Sequence, residues 1–214
     1  MAMQSIPPPA PPSRAGVLPL IGGALCLDFA NTSSGRGGAQ HRENLGTYEL
    51  LLVWCAHAGI LDGRERRDLA RLAAARPAAA ARTLRRALAL REAIHAIAAA
   101  LGHGARPLAP AVARLNRELG RAMARARLRP AAGRFVWEWG PERPTLDGML
   151  DPILRSAAEL LVGPVGGRVK QCPGRHCGWV FLDRTKNRRR RWCEMEVCGA
   201  RAKARRYRAR RRAA

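Results

Sequence analysis

Four cysteines near the end of the sequence stand in two Cys-x4-Cys pairs. The pairs, which are fifteen residues apart, are Cys172 with Cys177 and Cys193 with Cys198. Thiolate sulfur is a soft ligand, and two such pairs folded back onto one ion are typical of a tetrahedral zinc site. The Pro173-Gly174 dipeptide favours a tight turn between the first two ligands. The spacing therefore predicts one structural zinc ion (Zn²⁺) per chain, held by all four cysteines.

Two other interpretations of the cysteines are a pair of disulfides and four unrelated buried thiols. A segment of about 40 residues buries too little apolar surface to fold without a staple. Disulfides could be that staple, but they require an oxidising compartment. The apolar stretch 17–30 is interrupted by Pro19 and two glycines and does not form an export signal. Zinc is therefore favoured. His176 lies between two of the cysteines and could replace one, but we expect it to face solvent.

The residues around the cysteines predict the elements that bring them together. Residues 179–182 are apolar and aromatic and predict a short strand. Residues 192–212 contain no proline and only Gly199 as a helix-weakening residue, which predicts a helix. The wide spacing of the second pair indicates that it straddles a turn or a helix start. Turn, hairpin and helix together predict a treble-clef-like or ribbon-like zinc module.

The positive charge of the sequence is concentrated in the same region. The formal net charge is +23, and residues 168–214 carry 17 basic and 3 acidic side chains. Such asymmetry indicates an anionic partner, most commonly nucleic acid. Because 36 arginines accompany only 3 lysines among many alanines, the composition indicates a GC-rich coding background. Single arginines before residue 168 therefore carry little functional weight.

Basic residues flank the predicted metal site on both sides and are the candidate nucleic-acid contacts. They are Arg188, Arg189, Arg190 and Arg191 before the second cysteine pair, and Arg201, Lys203, Arg205, Arg206 and Arg208 after it. Cations at this density can contact several phosphates, which supplies affinity without sequence choice. Side chains on a helix could also enter a groove. Double-stranded DNA is the predicted partner, and a solvated basic tail or an RNA-binding tail is the alternative.

The remainder of the sequence predicts a mainly α fold with a small β-sheet (α+β). The predicted helices cover about 45–57, 62–75, 77–102, a stretch after 110, and 145–162. A strand or turn is expected within 18–29, a loop at 33–40, and a hairpin between 126–129 and the strand that begins at Arg134. Asp62 and Glu65 form a capping-box pattern. Trp137 and Trp139 share one side of the strand that begins at Arg134, and both are expected to pack on the helices.

Composition divides the chain into three parts. Residues 1–15 form a proline-rich tail that we expect to be disordered. Residues 16–163 form a mostly helical domain, which we call the helical domain. Glycines at 163–167 predict a hinge to residues 164–214, which we call the zinc module.

Two stretches resemble known families. The segments CGWVFLD and RRWCEMEVCGAR, with the basic run after them, resemble the CGNR zinc finger, although Ala200 stands where that family has Asn. LCLDFANT at residues 25–32, followed by RENL and a Trp-bearing helix, is similar to the ABATE domain. The two domains occur together in bacterial stress-induced transcription regulators. The resemblance implies a cytoplasmic, DNA-binding regulator that associates with the nucleoid when bound, with a sensory or dimerisation role for the helical domain.

Six residues lie where the resemblance to the ABATE domain is densest. They are Asp28, Asn31, Thr32, Arg42, Glu43 and Trp54. They are candidates for a small-molecule pocket in a helical domain that could also form a homodimer. The alternative, which we favour, is structural: Asn31 and Thr32 would cap a turn, and Asp28 would pair with Arg42.

An enzyme is the second class of protein considered. His41, His57, His95 and His103 show no metal-ligand spacing and no evident nucleophile, and neither a P-loop nor a dinucleotide fingerprint occurs. No run approaches the ~20 apolar residues of a membrane helix. We therefore expect a protein of the cytoplasm that is not an enzyme and does not bind a membrane. The alternatives are an RNA-binding or ribosome-associated protein and an enzyme that acts through the helical domain.

Overall fold

Helices dominate the chain in the computed structural model, which describes residues 13–36, 38, 41–139, 144–164 and 167–213. The helices are α1 (Leu25–Ala30), α2 (Tyr48–His57), α3 (Gly63–Ala75), α4 (Pro77–Gly102), α5 (Ala109–Met123), α6 (Asp151–Val162) and α7 (Ala200–Ala213). The described part of the chain also has three short helical turns, namely Ala15–Val17, Gly148–Leu150 and the π-helical Met195–Gly199. The mainly α fold class is confirmed.

Local sequence signals set several helix ends. Thr47 caps α2 by accepting a hydrogen bond from the Leu50 amide. Asp62 and Glu65 form the predicted capping box of α3, and both side-chain bonds to the backbone are present. Pro77 opens α4 at a position where its missing N–H costs no helical bond. These ends lie close to the predicted ones because capping is a local interaction.

The predicted strand or turn within residues 18–29 is wrong in part, because residues Leu25–Ala30 form helix α1. Cys26, Leu27 and Phe29 are fully buried in it. A short apolar run fits a buried strand as well as a buried helix, and periodicity cannot separate them. α2 begins three residues later than predicted, at Tyr48. α6 begins at Asp151 rather than 145, after the Gly148–Leu150 turn.

Within the described residues, three two-stranded antiparallel pairs accompany the helices. They are β1 (Ser33–Ser34) with β2 (Arg42–Glu43), β3 (Arg127–Ala131) with β4 (Arg134–Glu138), and β5 (Val169–Gln171) with β6 (Val180–Leu182). The β3–β4 hairpin and the strand at β6 confirm predictions. The predicted loop at 33–40 begins instead with β1, and its residues 37, 39 and 40 lie outside the described residues.

The prediction that Trp137 packs on the helices is wrong. Half of its surface is exposed, and Phe135 on the same strand is more exposed still. Trp139, one residue beyond β4, does pack against the core, with its ring centroid 6.0 Å from that of Trp137. Alternation identified the strand, but it could not show that the hairpin projects beyond the helices.

The larger of two apolar clusters among the described residues is built mainly from α1, α2, α4 and α6. Its largest buried side chains include Trp54 and Phe29, whose ring centroids are 5.3 Å apart. Val169, Val180 and Leu182 of the β5–β6 hairpin belong to the same cluster. The β5–β6 hairpin thus packs into the core of the helical domain, whereas Phe181 and the cysteines of the zinc module form a second cluster. The boundary at residues 163–164 stays a prediction.

The start of the described chain is held against this core. The Ser13 hydroxyl donates to the Asn44 carbonyl at 2.7 Å, and Ala15 is buried. Residues 13–15 therefore contact the core, and the disorder of the tail stays a prediction. The rest of the predicted tail, residues 1–12, lies outside the described residues.

Candidate metal centre and basic surface

The four predicted zinc ligands converge in the zinc module. All their sulfur atoms lie within 4.8 Å of one another. The Sγ atom of Cys193 is 3.6 Å from those of Cys177 and Cys198. A disulfide requires a sulfur–sulfur distance of about 2.05 Å. By contrast, four sulfur atoms that each lie about 2.3 Å from a tetrahedral zinc ion are about 3.8 Å from one another. The donor set and its spacing fit one zinc ion, and the disulfide alternative is excluded for these four residues.

The first pair lies in the connection between β5 and β6. Cys172 follows β5 directly, and its amide donates to the Trp179 carbonyl at 2.7 Å. The Cys177 amide donates to the Gly174 carbonyl at 2.9 Å and closes the turn. A Cβ atom at position 174 would lie 3.1 Å from the sulfur of Cys198. Glycine at this position therefore keeps the space among the sulfurs open.

The second pair lies where the chain enters α7. Cys198 occupies the π-helical turn Met195–Gly199, and its amide donates to the Glu194 carbonyl. The prediction that this pair straddles a helix start is confirmed. His176 is exposed and lies outside the sulfur cluster. Its backbone φ of 61° places it at the tip of the first turn.

Burial and mutual contact give the sulfurs unequal acidities. Hydrogen bonds from Cys177 and Cys193 lower the pKa of Cys172 well below its usual range. Hydrogen bonding to Cys172 and Cys177, with burial, raises the pKa of Cys193. The Cys172 thiolate therefore forms easily and keeps the neighbouring thiols protonated, chiefly because they donate hydrogen bonds to it and secondarily because like charges repel. A divalent cation would stabilise all four thiolates together, which is the electrostatic reason why the cluster suits zinc.

A group of polar contacts, separate from the sulfur cluster, holds the basic loop between β6 and the second cysteine pair. The Lys170 ammonium donates to the Asp183 carboxylate at 2.7 Å and to the carbonyls of Arg188 and Arg190. Asp183 also accepts from the Thr185 amide and hydroxyl. Burial alone would raise the pKa of Asp183, but these bonds outweigh it and hold that pKa at about 2. Sequence reasoning missed Lys170 and Asp183 as positioning residues, although Asp183 ends the motif CGWVFLD.

The predicted nucleic-acid contacts fall into two groups in the structure. Most are exposed, namely Arg188, Arg189, Arg191, Arg201, Lys203, Arg206 and Arg208, while Arg205 is half-buried. Arg190 is different, since its guanidinium donates to the carbonyls of Ile21 and Cys193 and lies 4.4 Å from the Phe181 ring centre. Arg190 therefore links the zinc module to the start of the helical domain.

The six residues predicted for a small-molecule pocket are dispersed among structural contacts. Asp28 accepts from the Gly22 amide at 2.7 Å, and burial raises the pKa of its carboxyl to about 6. The Thr32 hydroxyl donates to the Phe29 carbonyl just after α1, as expected of a turn cap. Trp54 is fully buried in the core. Among the described residues no ion pair joins Asp28 to Arg42.

The other members of that set have partners that the sequence did not indicate. Glu43 pairs with the buried Arg91 of α4, with both nitrogen–oxygen distances at 2.6 Å. Asn31 reaches into the zinc module and bonds the backbone of Val180. Arg42 alone faces an open cleft. A shared pocket of these six residues stays a prediction, because the other five are engaged in contacts within the fold.

The fold and the four-sulfur cluster define a zinc-finger protein with a helical domain in front of the finger. A family model for the CGNR zinc finger matches residues 168–211. The ABATE model, described as "Putative stress-induced transcription regulator", matches residues 23–164, about two-thirds of the sequence. The chain belongs to the ABATE family. A comparison with curated proteins finds no significant match. No helix among the described residues is long and apolar enough to cross a membrane.

Proposed function

We propose that this protein is a transcription regulator that binds double-stranded DNA through its zinc module. The observation that carries the proposal is the exposed row of basic side chains on α7 and on the adjoining loop. No acidic residue occurs between positions 197 and 214. An uninterrupted cationic surface of this kind favours a phosphate backbone as its partner.

The zinc ion in this proposal is structural. Four cysteine ligands complete a tetrahedral site and leave no position for a reactive water. The ion would fix the start of α7, because Cys198 lies in the turn that leads into that helix. Neither family description names an enzymatic activity. A role other than catalysis is therefore part of the proposal.

The orientation of α7 supports insertion into a groove. Ala202 is buried and Arg205 is half-buried, so this face of the helix rests on the protein. Arg201, Lys203 and Arg206 are exposed. A helix of 14 residues is about 21 Å long, and the major groove of DNA admits a helix. We assign Arg188, Arg189 and Arg191 to phosphate contacts and leave Arg190 out of the interface.

The wider proposal follows from the family description. The helical domain acts as a sensory or dimerisation unit, and the protein works in the bacterial cytoplasm on nucleoid DNA. RNA is the competing partner, because phosphate contacts alone do not separate the two nucleic acids. Competition between labelled duplex DNA and structured RNA decides between them. Preferential displacement by RNA would contradict the proposal.

The decisive experiment measures DNA affinity as a function of salt for two charge-matched double variants. Arg206→Ala with Arg208→Ala removes two exposed cations from α7. Arg67→Ala with Arg85→Ala removes two exposed cations from α3 and α4. Each lost phosphate contact lowers the slope of log affinity against log salt by about 0.9. The α7 variant should lose about 2 units of slope, and the control should keep the parent value. Equal slopes for both variants and the parent would contradict the proposed interface.

A further inference from the structure

A cleft of about 800 Å³ lies between the helical domain and the zinc module. The helical domain contributes Ser34 and Arg42 to its walls, together with Arg14 just before it, and the zinc module contributes Arg175, Arg201 and Arg205. The volume falls within the range of about 300–1,000 Å³ that is typical of small-molecule sites. This cleft is distinct from the six-residue pocket predicted from sequence, with which it shares only Arg42.

The charge of the cleft is unbalanced. Five arginines line it, whereas the acidic groups in its lining among the described residues are Glu194 and the metal-binding thiols of Cys177, Cys193 and Cys198. None of the five guanidinium groups forms a hydrogen bond or an ion pair within the described part of the chain. Arg42 and Arg205 are half-buried, whereas the buried Arg91 has Glu43 as its carboxylate partner. Unpaired guanidinium groups that converge on one space favour an anion with several acceptor oxygens.

The lining also has an apolar part. Trp179, which is half-buried, lines the cleft together with Pro19 and Val197. The part of this indole that lines the cleft offers a contact surface for a planar aromatic ring. The cleft thus combines a polycationic wall with an aromatic one, which matches a molecule that carries both phosphate groups and an aromatic ring.

We propose that this cleft binds an organic polyphosphate with an aromatic part, of the nucleotide class. Arg201 and Arg205 belong to α7, so the bound anion occupies cations next to the DNA-binding surface. The ligand therefore weakens DNA binding. The effect on DNA binding rests on the proposed function. The binding of the ligand does not, because it is measured without DNA.

Isothermal titration calorimetry of the zinc-loaded full chain with adenosine triphosphate tests the site at 150 mM salt. Arg42→Ala and Arg175→Ala each remove one unpaired cation, one from each wall of the cleft, and should weaken binding about tenfold, as expected for a charge-assisted hydrogen bond. Arg67→Ala removes an exposed cation from α3, away from the cleft, and should change the affinity less than about twofold. The two cleft variants come from different parts of the chain, so a folding defect in one leaves the other informative.

Two results would overturn the proposal. One is absence of nucleotide binding; if Arg42→Ala then also loses duplex affinity, the cleft is part of the DNA surface. The other is an equal loss of nucleotide affinity in Arg67→Ala and the cleft variants, which would indicate diffuse charge attraction. Inorganic tripolyphosphate should bind at least about tenfold more weakly than adenosine triphosphate, and equal affinity would remove the aromatic part of the proposal. With labelled DNA, a nucleotide concentration that nearly fills the parent site but leaves Arg42→Ala mostly empty should lower the DNA affinity of the parent more than that of the variant.

Discussion

The side-chain amide of Asn31 forms both main-chain hydrogen bonds of Val180. Its Nδ2 donates to the Val180 carbonyl and its Oδ1 accepts from the Val180 amide, both at 2.9 Å. Two residues further along β6, the Leu182 amide donates to the Gly22 carbonyl at 2.8 Å. The outer edge of β6 is therefore paired by the helical domain rather than by a third strand. This contact joins the zinc module to the segment that carries the LDFANT motif.

Replacement of Asn31 by alanine should destabilise the protein by about 2–6 kcal/mol. Val180 is fully buried, and two unpaired buried backbone groups cost about 1–3 kcal/mol each. Urea denaturation of the zinc-loaded protein measures the change. Asn116→Ala, at an exposed position on α5, should stay within about 0.5 kcal/mol of the parent. Equal stabilities for the two variants would show that the Asn31 bonds do not form.

Cys193→Ser should abolish stoichiometric zinc binding. Removal of one of four thiolates breaks the closed site, and metal binding to such a site is coupled to folding of its module. Elemental analysis of the purified protein gives the zinc content per chain. Cys26→Ala alters a buried cysteine outside the cluster and should retain one zinc ion. Full zinc retention in Cys193→Ser would contradict the assignment.

The stability of the protein should depend on the ionisation of Asp28. Burial raises the pKa of its carboxyl from 3.8 to about 6 in the folded state. Between these values the folded state binds more protons than the unfolded state, so the free energy of unfolding falls as the pH rises. Above about pH 6 the penalty is complete, and below about pH 4 it is absent. Asp28→Asn lacks this titration and can still accept the bond from Gly22.

The stability difference between Asp28→Asn and the parent should therefore grow in favour of the variant between about pH 4 and pH 7. We expect about 1–2 kcal/mol, because the group is partly exposed to solvent. Denaturation at each pH gives the free energy of unfolding of both proteins. Because the two have the same cysteine cluster, the effect of acid on zinc binding cancels in the difference between them. A difference that is constant with pH, or an Asp28 pKa that NMR titration finds at its ordinary value, would contradict the expectation.

Trp54 and Trp137 should respond very differently to replacement by alanine. Trp54 is fully buried beside Phe29, whereas half of Trp137 is exposed. Trp54→Ala should cost about 3–5 kcal/mol through lost burial and cavity formation. Trp137→Ala should cost no more than about 1 kcal/mol. Chemical denaturation distinguishes the two, and comparable losses would show that the β3–β4 hairpin packs closely on the helices.

The sequence alone determined the features that depend on local chemistry. The cysteine spacing predicted all four zinc ligands, since ligand identity and turn length are properties of neighbouring residues. The capping box at Asp62 and the start of α4 at Pro77 were predicted for the same reason. The mainly α fold class followed from the period of the apolar residues.

Only the tertiary structure decided which elements meet. Helix α1, the exposed side of Trp137 and the inward position of Arg190 depend on neighbours that are distant in sequence. Asn31 and Val180 are 149 positions apart, and no local pattern relates them. The cleft likewise arises because Arg42 and Arg201 come together from distant parts of the chain. Periodicity and spacing describe which groups a segment offers, whereas long-range packing determines the partners that those groups find.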